Sequence, residues 1–386
     1  MYNFQEKMPY TLEEEKALAI APKITALFSI FGAGYIIVDV LRERKKLRET
    51  YHRLLLAMSA SDLVASFLAF LGTWLAPAGT AGAFGAAGTT QTCIAQGFVI
   101  NVCGALTPPL YNAGLSLYYV LLIRYGWKKE QIRKVEWCIH GIVWTLTLST
   151  SIAALALDLF NFSGLSWCWI SAFPLGCKES YSNDGESDCL LGDNASIYQR
   201  IFLYGPLWLC IAFATLATIM VYHKVLQQEK RMERYLVGDQ LSRANRRTRR
   251  KTSRKVANQG LCYVGVFYLT WVWITIARLI EGSPPFAVAF LAVLFQPLQG
   301  FLNFLVYVRP RYLRYCDKNP DWSVMQLCVS TFCKTFNKQG QDASVDNATT
   351  LSTNDAPQCE VELVEPSDTQ ATNAPQCQVK LAEPDT

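Results

Sequence analysis

The chain reads as an all-α membrane protein, a bundle of seven transmembrane helices with a disordered cytoplasmic tail. Three observations predict this. It is 51% hydrophobic and 17% charged, with mean hydropathy +0.15, whereas soluble chains are roughly 25% charged. Its charges are concentrated between apolar runs. Seven runs also reach the ~20 apolar residues needed to cross a hydrocarbon core about 30 Å thick: 20–41, 54–75, 93–124, 137–160, 201–222, 256–280 and 286–308. They divide the chain into an extracellular N-terminus (1–19), a seven-helix domain (20–312), and a juxtamembrane segment with its tail (313–386).

Residues 1–16 are polar, with Glu13, Glu14 and Glu15 where a signal peptide needs a basic region. The first span is therefore expected to act as its own insertion signal. Lysine and arginine set the orientation. The first loop (42–53) has six basic residues, the third (125–136) four, and the fifth (223–255) twelve against three acidic ones, including RRTRRK at 246–251. The N-terminus is placed outside and the C-terminus in the cytoplasm of a multi-pass cell-membrane protein. The plain reading of the basic loops is topology and attraction to membrane lipids.

The second span carries Ser59, Asp62 and Ser66 on one face. Asp62 lies nine residues from Arg53, about 13 Å at helical rise, and Asn303 lies six from Arg309, about 9 Å. Those depths allow a shared polar cluster. An ionisable residue within a span is a functional candidate, with interhelical glue as the alternative. The third span is long and interrupted by Pro108-Pro109, which frees the carbonyls of Gly104 and Ala105; Asn101, Thr107, Tyr111 and Asn112 surround the break. Pro206 does the same in the fifth span. In the last span, Gln296, Gln299 or Gly300, Asn303 and Tyr307 recur at helical spacing, and Pro297 invites a kink. An unpaired amide in hydrocarbon costs several kcal/mol, so this stripe must face protein or water. Segment 310–322 is expected to lie along the interface as a separate amphipathic piece.

Cys93, Cys168, Cys177 and Cys189 fall at or beyond the outer surface, an even number in an oxidising compartment. Two disulfides are expected, with Cys93–Cys168 and Cys177–Cys189 preferred although spacing leaves the pairing open. Asn161 and Asn194 are glycosylation acceptors by motif, Asn194 the better placed. At the outer ends Lys23, Arg200 and Arg278, with Asp158 and Glu281 nearby, either snorkel or converge on an anionic ligand. Tyr268, Trp271 and Trp273 wall a pocket or contact lipid and core. Tyr111, Arg200, Tyr268, Trp271 and Arg278 are the ligand-pocket candidates. The tail (337–386) has nine acidic and two basic residues and a repeat, APQCEVELVEP and APQCQVKLAEP. It reads as a disordered segment. Cys316, Cys328 and Cys333 are candidate palmitoylation sites.

SASDL (59–63), CIAQG (93–97), SWCWI (166–170), YGPLWLC (204–210) and QPLQGFLNFLVY (296–307) together resemble the G-protein-coupled receptors, most nearly the cAMP-receptor-like branch, over roughly 20–312. The resemblance implies a Cys93–Cys168 disulfide. It also implies that Asn303 and Tyr307, which with Asp62 and Gln299 form the candidate intramembrane polar switch, help rearrange the cytoplasmic half on activation, and that the inner ends of spans three, five, six and seven receive a heterotrimeric G protein, with Arg124 facing that cavity. Rhodopsin-like motifs are missing: no acidic residue precedes Arg124, and no proline follows the tryptophans of the sixth span.

The expected function is a signal-transducing receptor that answers an extracellular small-molecule or peptide ligand, without nucleic acid, cofactor or metal. The alternative is a transporter or channel built around Asp62. Residues 286–308 contain no lysine for Schiff-base chemistry, and His52, His140 and His223 form no catalytic or metal-ligating set. The chain is thus not expected to be an enzyme.

Overall fold

The computed structural model describes residues 10–177, 179, 187–234, 240–280 and 284–318, with backbone alone over 229–234 and 240–257 and at Lys318. Among these, six helical spans are long and apolar enough to cross a membrane: span 1 (Leu12–Arg42), span 2 (Thr50–Leu75), span 3 (Thr90–Arg124), span 4 (Lys129–Ala156), span 5 (Ala195–Gln228) and span 6 (Asn258–Leu279). Span 7 consists of two helices, Phe286–Phe295 and Gln299–Asp317, that meet at a 50° bend. The outside of the bundle is apolar. Phe28 and Phe31 on span 1, Trp137 and Ile152 on span 4, and Leu209 and Leu216 on span 5 are each more than half exposed. Such faces suit lipid, where backbone groups must be satisfied within the helices and side chains need not be polar.

Several helices extend beyond the apolar runs, although span 4 stops at Ala156, short of the expected 160, where Phe160 enters a strand. Span 1 starts at Leu12 because Thr11 and Glu14 form a capping box, and Glu13, Glu14 and Glu15 favour the positive end of the helix. Span 4 starts at Lys129, so most of the expected third loop is helical. Helices Gly205–Arg234 and Gln240–Leu279 run through most of 223–255. Of the expected interfacial segment 310–322, residues 310–318 continue the helix Gln299–Lys318, with Pro310 inside it, and 319–322 lie outside the described residues. Apolar runs mark where lipid ends, whereas backbone hydrogen bonding carries a helix on into the aqueous zone. The tail repeat, Cys328, Cys333 and Glu281 lie outside the described residues.

All three expected proline breaks are present. Span 3 widens into a π-turn at Asn101–Ala105 and restarts as Thr107–Tyr119, which puts Pro108 and Pro109 in a first turn, where no N–H is needed. The Thr107 hydroxyl donates back to the Val102 carbonyl at 2.5 Å. Span 5 has a π-turn at Arg200–Tyr204 just before Gly205-Pro206. In span 7, Pro297 lies in the gap between the two helices.

Span 3 packs against spans 2, 4, 5 and 6, while span 1 packs against spans 2 and 7. A Cβ on Gly300 would lie 2.4 Å from Ser29 Oγ, so span 7 restarts directly against span 1. Between spans 4 and 5, strands β1 (Phe160–Phe162) and β2 (Cys168–Ile170) form an antiparallel hairpin with Phe162 opposite Cys168. Cys168 is bonded to Cys93 at the head of span 3, and Cys177 to Cys189. We call this the hairpin end, and the opposite one, beside Arg42–Arg53, the basic end.

Two apolar clusters fill the bundle. The one at the hairpin end includes Trp169, Leu203, Phe267, Trp271 and Val293. The one at the basic end includes Ile36, Met58, Tyr111, Tyr263 and Phe304. Along spans 2 and 7, Asp62, Ser66, Gln299 and Asn303 fall between the two.

Candidate functional site

The polar stripe of span 7 does not face one seam. Asn303 Nδ2 donates to Asp62 Oδ2 of span 2 at 3.0 Å. Gln299 Oε1 accepts from the Trp271 indole of span 6 at 3.0 Å. The Tyr307 hydroxyl donates to Asp39 of span 1. The reason is geometric: at 3.6 residues per turn, each four-residue step advances about 40° beyond a full circle. From 299 to 307 the stripe therefore rotates by about 80°, enough to address three neighbours in succession. Asp62, Gln299, Asn303 and Tyr307 are all buried.

Above Asp62 lies a cavity of about 20 Å³ (the space open to the centre of a water molecule), lined by Asp62, Ser66, Gly104, Trp167, Gln296 and Gln299 among others. That volume holds about one water. It reaches the Pro297 break, so the least regular backbone of span 7 borders the only described membrane-embedded carboxylate of span 2. Ser66 donates to Ser29 at 2.9 Å, extending the polar layer to span 1.

The basic end carries groups that sequence reasoning missed. Asp39, 5% exposed, takes Lys46 Nζ on Oδ2 at 2.8 Å and Arg311 Nη2 at 2.5 Å. Glu136 of span 4 accepts Arg53 Nε at 2.6 Å, Arg53 Nη2 at 2.5 Å and the Thr50 hydroxyl at 2.9 Å. Tyr51 ties span 2 to span 6 through a 3.0 Å hydroxyl contact with Tyr263 and a 3.0 Å bond from Gln259. Its ring packs against Tyr118 and Tyr119 of span 3. A signal existed for Asp39, a lone carboxylate inside an apolar run. No comparable signal marked Tyr51 or Tyr263, which look like ordinary interfacial tyrosines. Arg124 is exposed on the π-turn that ends span 3.

The five ligand-pocket candidates are not brought together. Tyr111 is fully buried in the basic-end cluster, with its hydroxyl 2.9 Å from His140 Nδ1, so it belongs to the packed interior rather than to an outer pocket. Tyr268 is 39% exposed and pairs with Thr215 of span 5 at 3.1 Å. Arg200 is exposed. Trp271 is buried at the span 7 bend. Arg278 stands by the hairpin, its guanidinium 5.8 Å from the Trp169 ring centre. Trp169 in turn meets Tyr204 edge-on at 6.4 Å, and Tyr204 Oη and Arg278 Nε are both buried. Helix rotation decides such convergence, and depth along a span does not reveal it.

Lys23 caps the end of span 2, donating to the Phe70 and Leu71 carbonyls at 3.0 and 2.8 Å with Trp74 beneath it. It is thus spent on structure rather than on an anion. Asn161 is buried in β1, with its amide nitrogen donating to the Asp158 and Ser171 carbonyls. That environment fits poorly with a glycan on the same nitrogen. Asn194 caps a short helix in left-handed geometry, and its side chain donates to Asp193. The Cys93–Cys168 link is backed by Gln96, which accepts from the Cys168 N–H at 2.9 Å and donates to the Leu68 and Gly72 carbonyls of span 2.

No family model matches the chain, and no curated protein matches it. Among solved structures it is similar to a crystal structure of squid rhodopsin, with TM-score 0.56 and 15% identity over 88% of this chain and 92% of that one. At that identity the likeness is one of fold. The chain is a multi-pass membrane protein with a rhodopsin-like helical bundle.

Proposed function

We propose that this protein is a G-protein-coupled receptor, of the cAMP-receptor-like kind its motifs resemble. In this reading the hairpin end faces outside and the basic end meets a heterotrimeric G protein. The observation that carries the reading is span 7. It is bent at Pro297 and meets three different helices through polar side chains, Gln299 to Trp271, Asn303 to Asp62, and Tyr307 with Arg311 to Asp39. A helix held this way can exchange partners without unfolding, and a ligand that favours one set over the other shifts the population. Arg278, with Trp169 and Tyr204 beside it, supports ligand entry under the hairpin. Arg124 and the tyrosines of spans 2, 3 and 6 support the basic end as the G-protein side.

The test is nucleotide exchange by purified receptor in lipid with a panel of Gα subunits, screened against small metabolites, cyclic nucleotides and peptides. With an agonist in hand, Asn303→Ala is expected to lower agonist-driven exchange about tenfold, a coupling loss of ~1.4 kcal/mol, at unchanged surface expression. Equal exchange by wild type and variant would remove span 7 from the mechanism.

A further inference from the structure

We propose that Asp39 is a positioning residue for Tyr307: its carboxylate holds the phenol, and with it the basic-end half of span 7, against span 1, and so keeps the ligand-free receptor quiet. This rests on the receptor reading above.

The contacts are unequal in kind. Arg311 grips both oxygens of Asp39, Nη1 to Oδ1 at 3.2 Å and Nη2 to Oδ2 at 2.5 Å. Lys46, from the first loop, adds a 2.8 Å ion pair. Two cations therefore neutralise one buried carboxylate, a condition for keeping it charged away from water. Tyr307 is the one neutral donor among these three. Its departure strands no charge, whereas loss of Arg311 would. The phenol is thus the contact that can open first, and the Arg311 fork, which also joins span 7 to span 1 and donates to the Tyr307 hydroxyl at 3.3 Å, must loosen with it for the two helices to part.

A second partner stands beside it. The Tyr307 ring meets the His52 ring edge-on at 6.2 Å, and His52 Nδ1 is buried without a hydrogen-bond partner. A phenol leaving Asp39 and donating to that nitrogen would move from span 1 to span 2. The residue before His52 is Tyr51, whose hydroxyl holds Tyr263 and Gln259 of span 6. Exchange of Tyr307 between Asp39 and His52 would therefore act on the link that closes spans 2 and 6 at the basic end.

The experiment uses full-length protein in lipid nanodiscs. Ligand-free Gα nucleotide exchange is measured for wild type, Asp39→Asn, Arg311→Lys and Asp39→Asn combined with Tyr307→Phe. In parallel, distances are measured between noncanonical amino-acid probes at the exposed positions Leu41 and Arg314. Asp39→Asn is expected to raise ligand-free exchange about tenfold and to add a longer distance. Arg311→Lys, which keeps the charge but loses the fork, should do so less. The double variant should fall back to wild type or below. An Asp39→Asn protein that melts normally but changes neither exchange nor distance overturns the proposal, as does a rise that survives Tyr307→Phe. A lowered melting point with both readouts unmoved marks a purely structural role and also overturns it. If Asp39→Asn fails to fold, Arg311→Lys carries the same comparison. If wild type turns over no Gα while the distance still shifts, the receptor reading fails and the Asp39 restraint stands.

Discussion

The two ends of this bundle are held by different chemistry. At the hairpin end many fastenings are covalent or involve the backbone: two disulfides, a two-stranded hairpin, and Gln96 and Lys23 bound to main-chain groups at the end of span 2, beside the side-chain bond from Trp169 to Asn101. At the basic end they are contacts between side chains: Asp39 with Arg311, Lys46 and Tyr307, Glu136 with Arg53, and Tyr51 with Tyr263. Side-chain contacts change partners by a rotamer step, whereas a disulfide has no alternative partner nearby. The hairpin end therefore has fewer ways to change partners than the basic end.

Four substitutions test that contrast, in order of falling effect. Cys93→Ser removes a link between residues 75 apart and is expected to cost about 4 kcal/mol, read as lost surface display and a lower melting temperature. A protein that melts unchanged would show that the hairpin end does not depend on its disulfide. Arg53→Ala leaves the Glu136 carboxylate buried and unpaired, at a cost of about 3 kcal/mol. Adding Glu136→Gln should recover most of it, and melting of the double variant checks this. Gly300→Ala drives a methyl into Ser29 and should cost ~1–3 kcal/mol. Ser29→Gly in the same chain should restore part of the loss, and full tolerance of alanine alone would mean that spans 1 and 7 are looser than they look. Tyr263→Phe removes one hydroxyl contact, worth ~1 kcal/mol. Ligand-free nucleotide exchange should rise about fivefold with little change in melting. A large drop in melting instead would place the basic end in the same structural class as the hairpin end.

Much of the architecture was legible in the sequence. Apolar length marked the seven spans, and prolines 108, 109, 206 and 297 marked the three breaks. The even set of outer cysteines pointed to the two bonds that form. Asp62 and Asn303, matched in depth by counting from Arg53 and Arg309, do meet. The partners of Gln299 and Tyr307 were not legible, because a polar side chain in a span declares a need for a partner without naming the helix that supplies it. Asp39 and Glu136 escaped notice for a related reason. Each sits close to a run of basic residues, where a carboxylate is easily taken for interfacial charge, yet packing buries both. Tyr111 was legible as a polar group at the mid-depth break of span 3, but its partner was not, because only rotation about the helix axis directs it to His140.

The order of apolar and polar residues along the chain was sufficient for a seven-span bundle with three proline breaks, since transfer into lipid and the missing proline N–H act locally, residue by residue. Which helix each buried polar group addresses is a property of the packed bundle. Small changes in helix rotation and depth exchange one neighbour for another, and these depend on side chains far apart in sequence fitting together at once.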